Sequence, residues 1–180
     1  MLRVNIMKYF LFVLIFSIIA QAQDLPKKGD VSIGGNFLFA STNSDNSSTT
    51  LLQFSPEFSY FVDDNFEIGT TMTIQSYQYS NTRNTTIGLG PFLSAHFKTA
   101  SINPFVGISL TYLNQKVSHN GQTAIDYSEN SINLFGGILV PLNEKVAIQP
   151  LIQYSLYFSK DIELGEISQI MLGVGIKAFL

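Results

Sequence analysis

The sequence feature that most constrains the fold is an alternation of apolar residues, which is clearest in residues 169–180. Every second position there is apolar, from Ile170 to Leu180, and the positions between them include Gly175 and Lys177. A period of two residues is typical of a β-strand, because successive side chains of a strand point to opposite faces. A strand with one continuous apolar face needs a partner along its edge and an apolar environment for that face. A closed barrel in a membrane provides both.

Seven further segments show the same alternation, so the sequence predicts eight strands. The polar segments after the first, third, fifth and seventh strands are long: residues 41–50, 78–84, 115–130 and 159–166. Those after the second, fourth and sixth strands are short: residues 63–65, 98–103 and 143–145. Long and short connections that alternate in this way are typical of an outer-membrane barrel, which has short periplasmic turns and longer outer loops. The alternating segments are also long enough for a tilted strand, which needs about 9–11 residues to cross a bilayer.

The charged residues of the strands show which face would contact lipid. Glu57, Glu67, His96 and Lys177 all fall on the face opposite to that of Ile170. A soluble ligand-binding barrel would show the reverse arrangement, with an apolar interior. The sequence therefore predicts an all-β fold, an eight-stranded antiparallel up-and-down transmembrane β-barrel with its apolar face outward. The alternative is a secreted soluble β-sandwich that uses the apolar face as its core.

Three prolines fall inside the predicted strands, namely Pro56, Pro91 and Pro150. Proline has no backbone N–H, so each of them should mark a bulge or a locally broken pair in the sheet.

The N-terminus predicts export from the cytoplasm. Arg3 and Lys8 precede an apolar run over residues 9–19, which Ala20-Gln21-Ala22 follows. This is the pattern of a secretory signal peptide, and the run is shorter than the ~20 residues of a transmembrane helix. We predict a signal peptide over residues 1–22 and a barrel domain over residues 23–180.

Composition agrees with an exported membrane protein. Charged residues make up 13% of the chain, against roughly 25% in soluble domains. The chain has 10 basic and 13 acidic residues, and removal of Arg3 and Lys8 would leave a mature chain with a formal charge of −5. No basic patch favours nucleic acid as a partner, and the absence of cysteine excludes disulfides and thiolate metal sites.

Several short motifs resemble a family of small outer-membrane barrels. They are the runs at 55–69, 90–92, 103–105 and 140–147, including Asp63-Asp64-Asn65 and Asn143-Glu144-Lys145. The chain is similar to the outer membrane protein β-barrel domain, of OmpA/OmpX-like architecture, over essentially its whole mature length. The resemblance implies an eight-stranded barrel, location in the outer membrane of a gram-negative bacterium, and no single activity. It also implies insertion by the barrel-assembly machinery, although the terminal aromatic of the family is Phe179 here, with Leu180 after it.

The residues predicted to point inward are those of a barrel whose lumen is filled by side chains. An eight-stranded barrel has an interior just wide enough for side chains, and the large inward residues alternate with many Gly, Ser and Thr. The large residues are Phe61, Phe92, Phe105, Phe135, Leu139, Leu151 and Phe179. A buried charge needs a partner, so we expect Lys177 to pair with Glu57 or Glu67 and the cluster to have a structural role. A gating or proton path through the same cluster is the functional alternative.

Catalysis and metal binding have little support in the sequence. His119 lies in the longest polar segment, with Ser118, Asp126, Ser128 and Glu129 nearby. A nucleophile, a base and an acid are therefore present, but a polar segment of this length contains them often by chance. We predict no enzyme activity, and the two histidines, far apart in the sequence, predict no metal site and no cofactor.

The function predicted from these features is structural or surface-interacting, through the polar segments 41–50 and 115–130. The partners expected are outer-membrane lipid and the barrel-assembly machinery, and the protein is expected to be a monomer. Two alternatives stay open: passage or binding of a small molecule, apolar or otherwise, through the barrel, and a lipid-modifying enzyme. A continuous cavity or a lateral opening at a proline would favour transport.

Overall fold

The computed structural model describes residues 26–44, 47–79, 82–98, 102–119, 122–159 and 167–180. The predicted signal peptide and its cleavage site lie outside these residues. Eight antiparallel strands form one closed barrel in sequence order. They are β1 (Val31–Ser44), β2 (Ser47–Asp63), β3 (Phe66–Tyr79), β4 (Thr82–His96), β5 (Asn103–His119), β6 (Gln122–Asn143), β7 (Val146–Ser159) and β8 (Ile167–Phe179). Within the described ranges, no helix is both long and apolar enough to cross a bilayer.

The barrel closes where β8 pairs with β1. Their antiparallel register runs from Ser32 opposite Phe179 to Phe39 opposite Leu172. The apolar C-terminal strand thus has a hydrogen-bonded neighbour on both edges, β7 on one side and β1 on the other. The predicted number of strands, their antiparallel order and the barrel closure are confirmed.

The outer face of the barrel is apolar, as the alternation predicted. Ile170, Leu172 and Ile176 are about three-fifths exposed. Outward apolar side chains of the other strands are exposed as well. Aromatic side chains lie towards both ends of this surface: Phe39, Tyr60, Phe66, Phe97, Tyr112 and Phe158. An apolar belt bounded by aromatic residues is the surface that a bilayer solvates. The sandwich alternative is wrong, because the apolar face lies outside a single closed sheet.

The strands are longer at the outer end than predicted, and this corrects three loop assignments. The predicted loop 115–130 is instead the continuation of β5 to His119 and the start of β6 at Gln122. In the same way, β1 to β4 take up most of the predicted loops 41–50 and 78–84. Polar outward side chains mark where the apolar belt ends. The strand itself continues beyond that point as long as a neighbouring strand still provides hydrogen-bond partners for its backbone. Apart from Ser159, which ends β7, the predicted loop 159–166 lies outside the described residues.

The tight turns at the opposite end are confirmed. Asp63 ends β2 and its Oδ1 accepts a hydrogen bond from the backbone N–H of Asn65, at 3.3 Å. Asn143 ends β6 and accepts one from the N–H of Lys145, at 2.8 Å. Both are side-chain-to-backbone turns of the kind that Asp and Asn favour.

Each of the three prolines that were predicted to lie inside strands interrupts pairing on one side only. Pro56 keeps its partner in β1, Pro91 in β3 and Pro150 in β8. On the other side of each proline two pairs are missing, and the pairing then resumes in the same register. The prediction of locally broken pairs is confirmed. Because the register continues past each break, the prolines do not open the barrel wall.

Large side chains fill the lumen where glycine gives them room. A Cβ on Gly107 would lie 2.3 Å from the ring of Phe135 and 2.8 Å from the carbonyl oxygen of Leu93. The ring of Phe135 therefore occupies the volume of the missing side chain on the neighbouring strand. By contrast, Gly136 faces outward, and its nearest atom would be the Phe105 carbonyl oxygen at 3.2 Å.

We predict that Gly107→Ala destabilises the barrel by roughly 1–3 kcal/mol, because the added methyl group overpacks the lumen. Gly136→Ala, on the lipid-facing side of the adjacent strand, is the matched control and should have a much smaller effect. Denaturant unfolding in detergent, followed by heat-modifiable mobility on gels, measures both. Equal destabilisation by the two variants would contradict the packing described for Phe135.

Candidate functional site in the barrel lumen

Four charged or titratable side chains, which we call the lumen cluster, meet inside the barrel near its turn end: Glu57, Glu67, His96 and Lys177. The ammonium Nζ of Lys177 lies 3.0 Å from Glu57 Oε1 and 2.5 Å from Glu67 Oε1. Both Lys177 and Glu67 are at most 3% exposed. The expectation from sequence was a pair with one carboxylate, and the structure places the ammonium between two.

The reach of Lys177 depends on β1, the strand between Lys177 and Glu57. Gly34 is directly opposite Lys177 on one side and Glu57 on the other. A Cβ at Gly34 would come within 2.6 Å of the Ile176 carbonyl oxygen and 3.3 Å of Glu57 Oε1. The missing side chain therefore leaves the path along which the lysine crosses one strand to its partner.

Serine hydroxyls surround the carboxylate of Glu67. Ser94 Oγ donates to Oε2 at 2.8 Å, and Ser59 Oγ donates to Oε1. Ser32 Oγ lies 2.5 Å from Ser59 Oγ and 3.4 Å from Glu67 Oε1. Together with Lys177 and His96 Nε2, at 2.9 Å, these donors satisfy a carboxylate that is removed from water.

Amide side chains hold Glu57 in the same way. Asn36 Nδ2 donates to Oε2 at 3.1 Å, and Gln149 Nε2 lies 3.4 Å from Oε1 and 2.5 Å from Asn36 Oδ1. These partners come from β1 and β7, so the lumen cluster and its hydrogen bonds join β1, β2, β3, β4, β7 and β8.

An apolar layer closes the lumen on the turn side of the cluster. Phe61, Phe105 and Phe179 are buried there together with Leu139 and Ala147. The His96 ring stacks on Phe105, with centroids 5.6 Å apart, and meets the edge of Phe61 at 5.1 Å. The inward position of Phe179 means that the aromatic residue at the C-terminus packs in the lumen.

The N-terminal lead is hydrogen-bonded to the end of β2 on this side of the barrel. The backbone N–H of Gly29 donates to the carbonyl of Phe61, and the N–H of Phe61 donates to the carbonyl of Asp30, both at 2.9 Å. Gly29 has a φ of 93°, the left-handed region that favours glycine. Pro26 is fully buried. The lead is thus attached to the turn end of the barrel.

On the other side of the cluster, the described residues line a small polar cavity in the lumen. Its volume is about 40 Å³, and it is lined by the cluster, by amide and hydroxyl side chains, and by the rings of Phe92, Phe105 and Phe135. That is room for roughly three water molecules. Towards the outer end, Leu38, Leu51, Leu113 and Met171 are buried across the lumen. All the large inward residues predicted from sequence point into the lumen.

The hydrogen bonds of His96 do not match a catalytic triad. Ser94 Oγ at 3.1 Å and Glu67 Oε2 at 2.9 Å both meet the same ring nitrogen, Nε2. In a nucleophilic triad the acid and the serine bind opposite nitrogens of the ring. In the described part of the chain, Nδ1 of His96 has no hydrogen-bond partner. The arrangement holds a buried carboxylate in place and does not activate a hydroxyl.

The structure separates the residues of the catalytic alternative along two paired strands. His119 ends β5 opposite Gln122, Ser118 pairs with Thr123, and Asp126 pairs with Lys116. The side chain of His119 is outside the described set. Among the described residues, no group of three or more His, Cys, Asp or Glu side chains could hold a metal ion.

Sequence reasoning named the charges of the cluster but missed their neutral partners. Ser32, Ser59, Ser94, Asn36 and Gln149 all share the inward phase of the alternation, which is the signal that could have identified them. What the alternation does not give is the height of each residue along the barrel axis, since that depends on the register between strands.

We predict that Lys177→Met destabilises the barrel by roughly 3–5 kcal/mol, because two buried carboxylates would lose their shared cation. The measurement is denaturant unfolding in detergent. Adding Glu57→Gln and Glu67→Gln to Lys177→Met should recover much of the loss, since no unpaired charge is then buried.

The matched control is Lys98→Met. Lys98 is one-third exposed and its Nζ lies 3.9 Å from Asp64 Oδ2, so its loss should cost about 0–1 kcal/mol. The role of the lumen cluster in stability would be disproved if Lys177→Met behaved like Lys98→Met.

Solved structures of several small barrels resemble this fold. Neisserial surface protein A (NspA) superposes with a TM-score of 0.66 and 14% identity, over 84% of this chain and 99% of that one. The N-terminal β-barrel domain of Pseudomonas aeruginosa OprF superposes with a TM-score of 0.59 and 16% identity, over 86% of this chain and 100% of that one. Ail of Yersinia pestis, in complex with the heparin analogue sucrose octasulfate, superposes with a TM-score of 0.51 and 15% identity. The match covers 83% of this chain and 99% of that one. At these identities the likeness shows a shared fold.

A search among curated proteins finds no match. The family model of the outer membrane protein beta-barrel domain matches residues 9–177, which is most of the chain. This confirms the resemblance and the location predicted from sequence. The chain belongs to the family of the outer membrane protein beta-barrel domain and is an outer-membrane protein of a Gram-negative bacterium.

Proposed function

We propose that this protein is a plugged barrel, a rigid outer-membrane element whose role is structural or surface-interacting. In this role it is a monomer in contact with outer-membrane lipid, inserted by the barrel-assembly machinery. The lumen stabilises the barrel, and the outer strand ends are the part available to partners. No step of catalysis or transport is assigned to it.

The observation that carries the proposal is the filled lumen. The apolar layer of Phe61, Phe105 and Phe179 and the lumen cluster follow one another along the axis, and the cavity beyond them is about 40 Å³. A conducting pore needs a continuous water-filled path through the barrel, as in large porins. The register is the same on both sides of Pro56, Pro91 and Pro150, which gives no support to a lateral opening for an apolar solute at these prolines.

The outer strand ends support the surface role. β5 and β6 form the longest hairpin and continue past Tyr112 and Phe158, the outer aromatic residues of the belt. Beyond that level the outward side chains are polar, as in Asn114, Lys116 and Asp126. Paired strands hold these side chains in fixed positions, which makes them better suited to contact a partner than a flexible loop would be.

We predict that the purified protein gives no stable channels in planar lipid bilayers. An open porin reconstituted in the same bilayers is the positive control, and the protein must show the heat-modifiable mobility of a folded barrel. Long-lived, uniform conductance steps would overturn the plugged barrel and favour passage of a small solute.

A further inference from the structure

An apolar groove, which we call the belt groove, crosses the outer surface of the barrel from β3 to β7. It follows a row of outward residues that are directly opposite one another on neighbouring strands: Phe66, Ala95, Val106, Gly136 and Ile152. Ala95 and Gly136 are the small members of the row, and they account for the depression between larger side chains. The next outward row borders the groove towards the outer end of the barrel and includes Leu93, Ile108 and Leu134.

The belt groove has room for a molecule of lipid size. Its volume is about 690 Å³, against about 40 Å³ for the polar cavity in the lumen. Apart from the hydroxyl of Tyr154, the side chains that line it are apolar. A ligand that fits this groove is therefore a hydrocarbon chain, and it lies on the outside of the barrel.

The length and direction of the groove match one acyl chain. The row spans five adjacent strands, which at ~4.8 Å between neighbours gives it a length of about 19 Å. One leaflet contributes roughly 15 Å to the ~30 Å hydrocarbon core of a bilayer. Phe66 is the first residue of β3, whereas Ile152 lies in the middle of β7. The row thus runs from the turn end of the barrel, which is the periplasmic end, towards the middle of the belt.

A second depression continues the belt groove at the turn end. Phe66 and Ala95 line both depressions, and the second one also contacts Asp64, Phe97 and Lys98. Lys98 Nζ lies 3.9 Å from Asp64 Oδ2, and the two side chains are 33% and 57% exposed. Phe97 belongs to the aromatic residues that bound the belt, so the charged pair next to it lies at the level of the lipid headgroups.

The shape of the belt groove favours a lipid over a second copy of the chain. In a symmetric dimer, the same patch of each subunit meets itself. Two depressions that face each other would leave a void around Ala95 and Gly136, and a void forfeits the packing contacts of its lining. A narrow, flexible acyl chain can instead follow the groove and fill it.

We propose that the belt groove binds one zwitterionic diacyl phospholipid of the periplasmic leaflet. One acyl chain lies on Ala95, Val106 and Gly136. At the turn end, the phosphate contacts Lys98 and the ammonium of the headgroup contacts Asp64, so that opposite charges are paired. This deepens the lipid contact in the proposed function and rests on it, because the groove must lie within the bilayer.

The test is the retention of dioleoyl phosphatidylethanolamine by the full mature chain. The folded barrel is loaded with this lipid in detergent, washed in lipid-free detergent, and analysed by native mass spectrometry, which counts the bound lipids. We expect one retained lipid per barrel. No retained lipid would overturn the proposal, and a lipid-free dimer would overturn it in favour of a second copy of the chain.

Two alanine substitutions locate the acyl chain. Ala95→Leu fills the belt groove and should reduce lipid retention roughly tenfold. The matched control is Ala178→Leu, which enlarges an outward alanine near the turn end of β8, the strand opposite β4 in the barrel; it should leave retention unchanged. Equal effects of the two would overturn the assignment. Should Ala95→Leu fail to fold, Val106→Phe narrows the same groove from β5, and retention as in the wild type would count against the site.

A second comparison tests the headgroup contacts. Lys98→Met should reduce the retention of dioleoyl phosphatidylethanolamine, whereas Lys145→Met, which removes an exposed lysine from another turn at the same end, should not. Dioleoyl phosphatidylglycerol has the same acyl chains and no ammonium, and it should be retained less. Equal retention of the two lipids, or equal effects of the two lysine variants, would overturn the headgroup contacts.

The conductance experiment is independent of this one. A conducting barrel would overturn the plugged lumen and leave the lipid site in place. Absent retention of the phospholipid by a non-conducting barrel would overturn the lipid site alone.

Discussion

The ammonium group of Lys177, held between the carboxylates of Glu57 and Glu67, is the interaction on which the interior of this barrel depends. Lys177 is on β8, Glu57 on β2 and Glu67 on β3. The ion pairs therefore cross the seam where the last strand meets the first, in addition to the backbone ladder between β8 and β1. Many of the apolar side chains of this barrel face outward, so the burial of apolar surface in the lumen is only part of what stabilises the interior. A fully satisfied polar network is the other means of giving that interior one defined packing.

Polar and apolar side chains fill the lumen together. Serine hydroxyls and amide groups bring donors to the buried carboxylates, and glycines on neighbouring strands make room for the ring of Phe135 and for the stem of Lys177. Aromatic rings then close the turn end. The same side chains stabilise the fold and fill the lumen, so the proposed structural role and the predicted lack of conductance have one physical origin.

The sequence was sufficient to predict the strand number, the closed barrel and the face of every charged residue in the lumen cluster, because a period of two assigns each side chain to one side of the wall. It also located the Asp63 and Asn143 turns and the consequences of the strand prolines. It failed at the outer ends, where residues 115–130 read as a loop. Polarity reports the limit of the bilayer, whereas strand length depends on a neighbour that continues the ladder. The contact of Lys177 with a second carboxylate and the position of the serines around Glu67 depend on the register between strands. Alternation within one strand does not encode that register.

A double-mutant cycle between Lys177 and Glu67 tests most directly whether the lumen cluster stabilises this barrel. The unfolding free energies of the wild type, Lys177→Met, Glu67→Gln and the double variant are compared in one detergent. The coupling energy should be at least about 1.5 kcal/mol, as for close buried charge pairs. A coupling energy near zero would mean that the two side chains contribute independently, and it would contradict the central role of the Lys177 ammonium in the barrel interior.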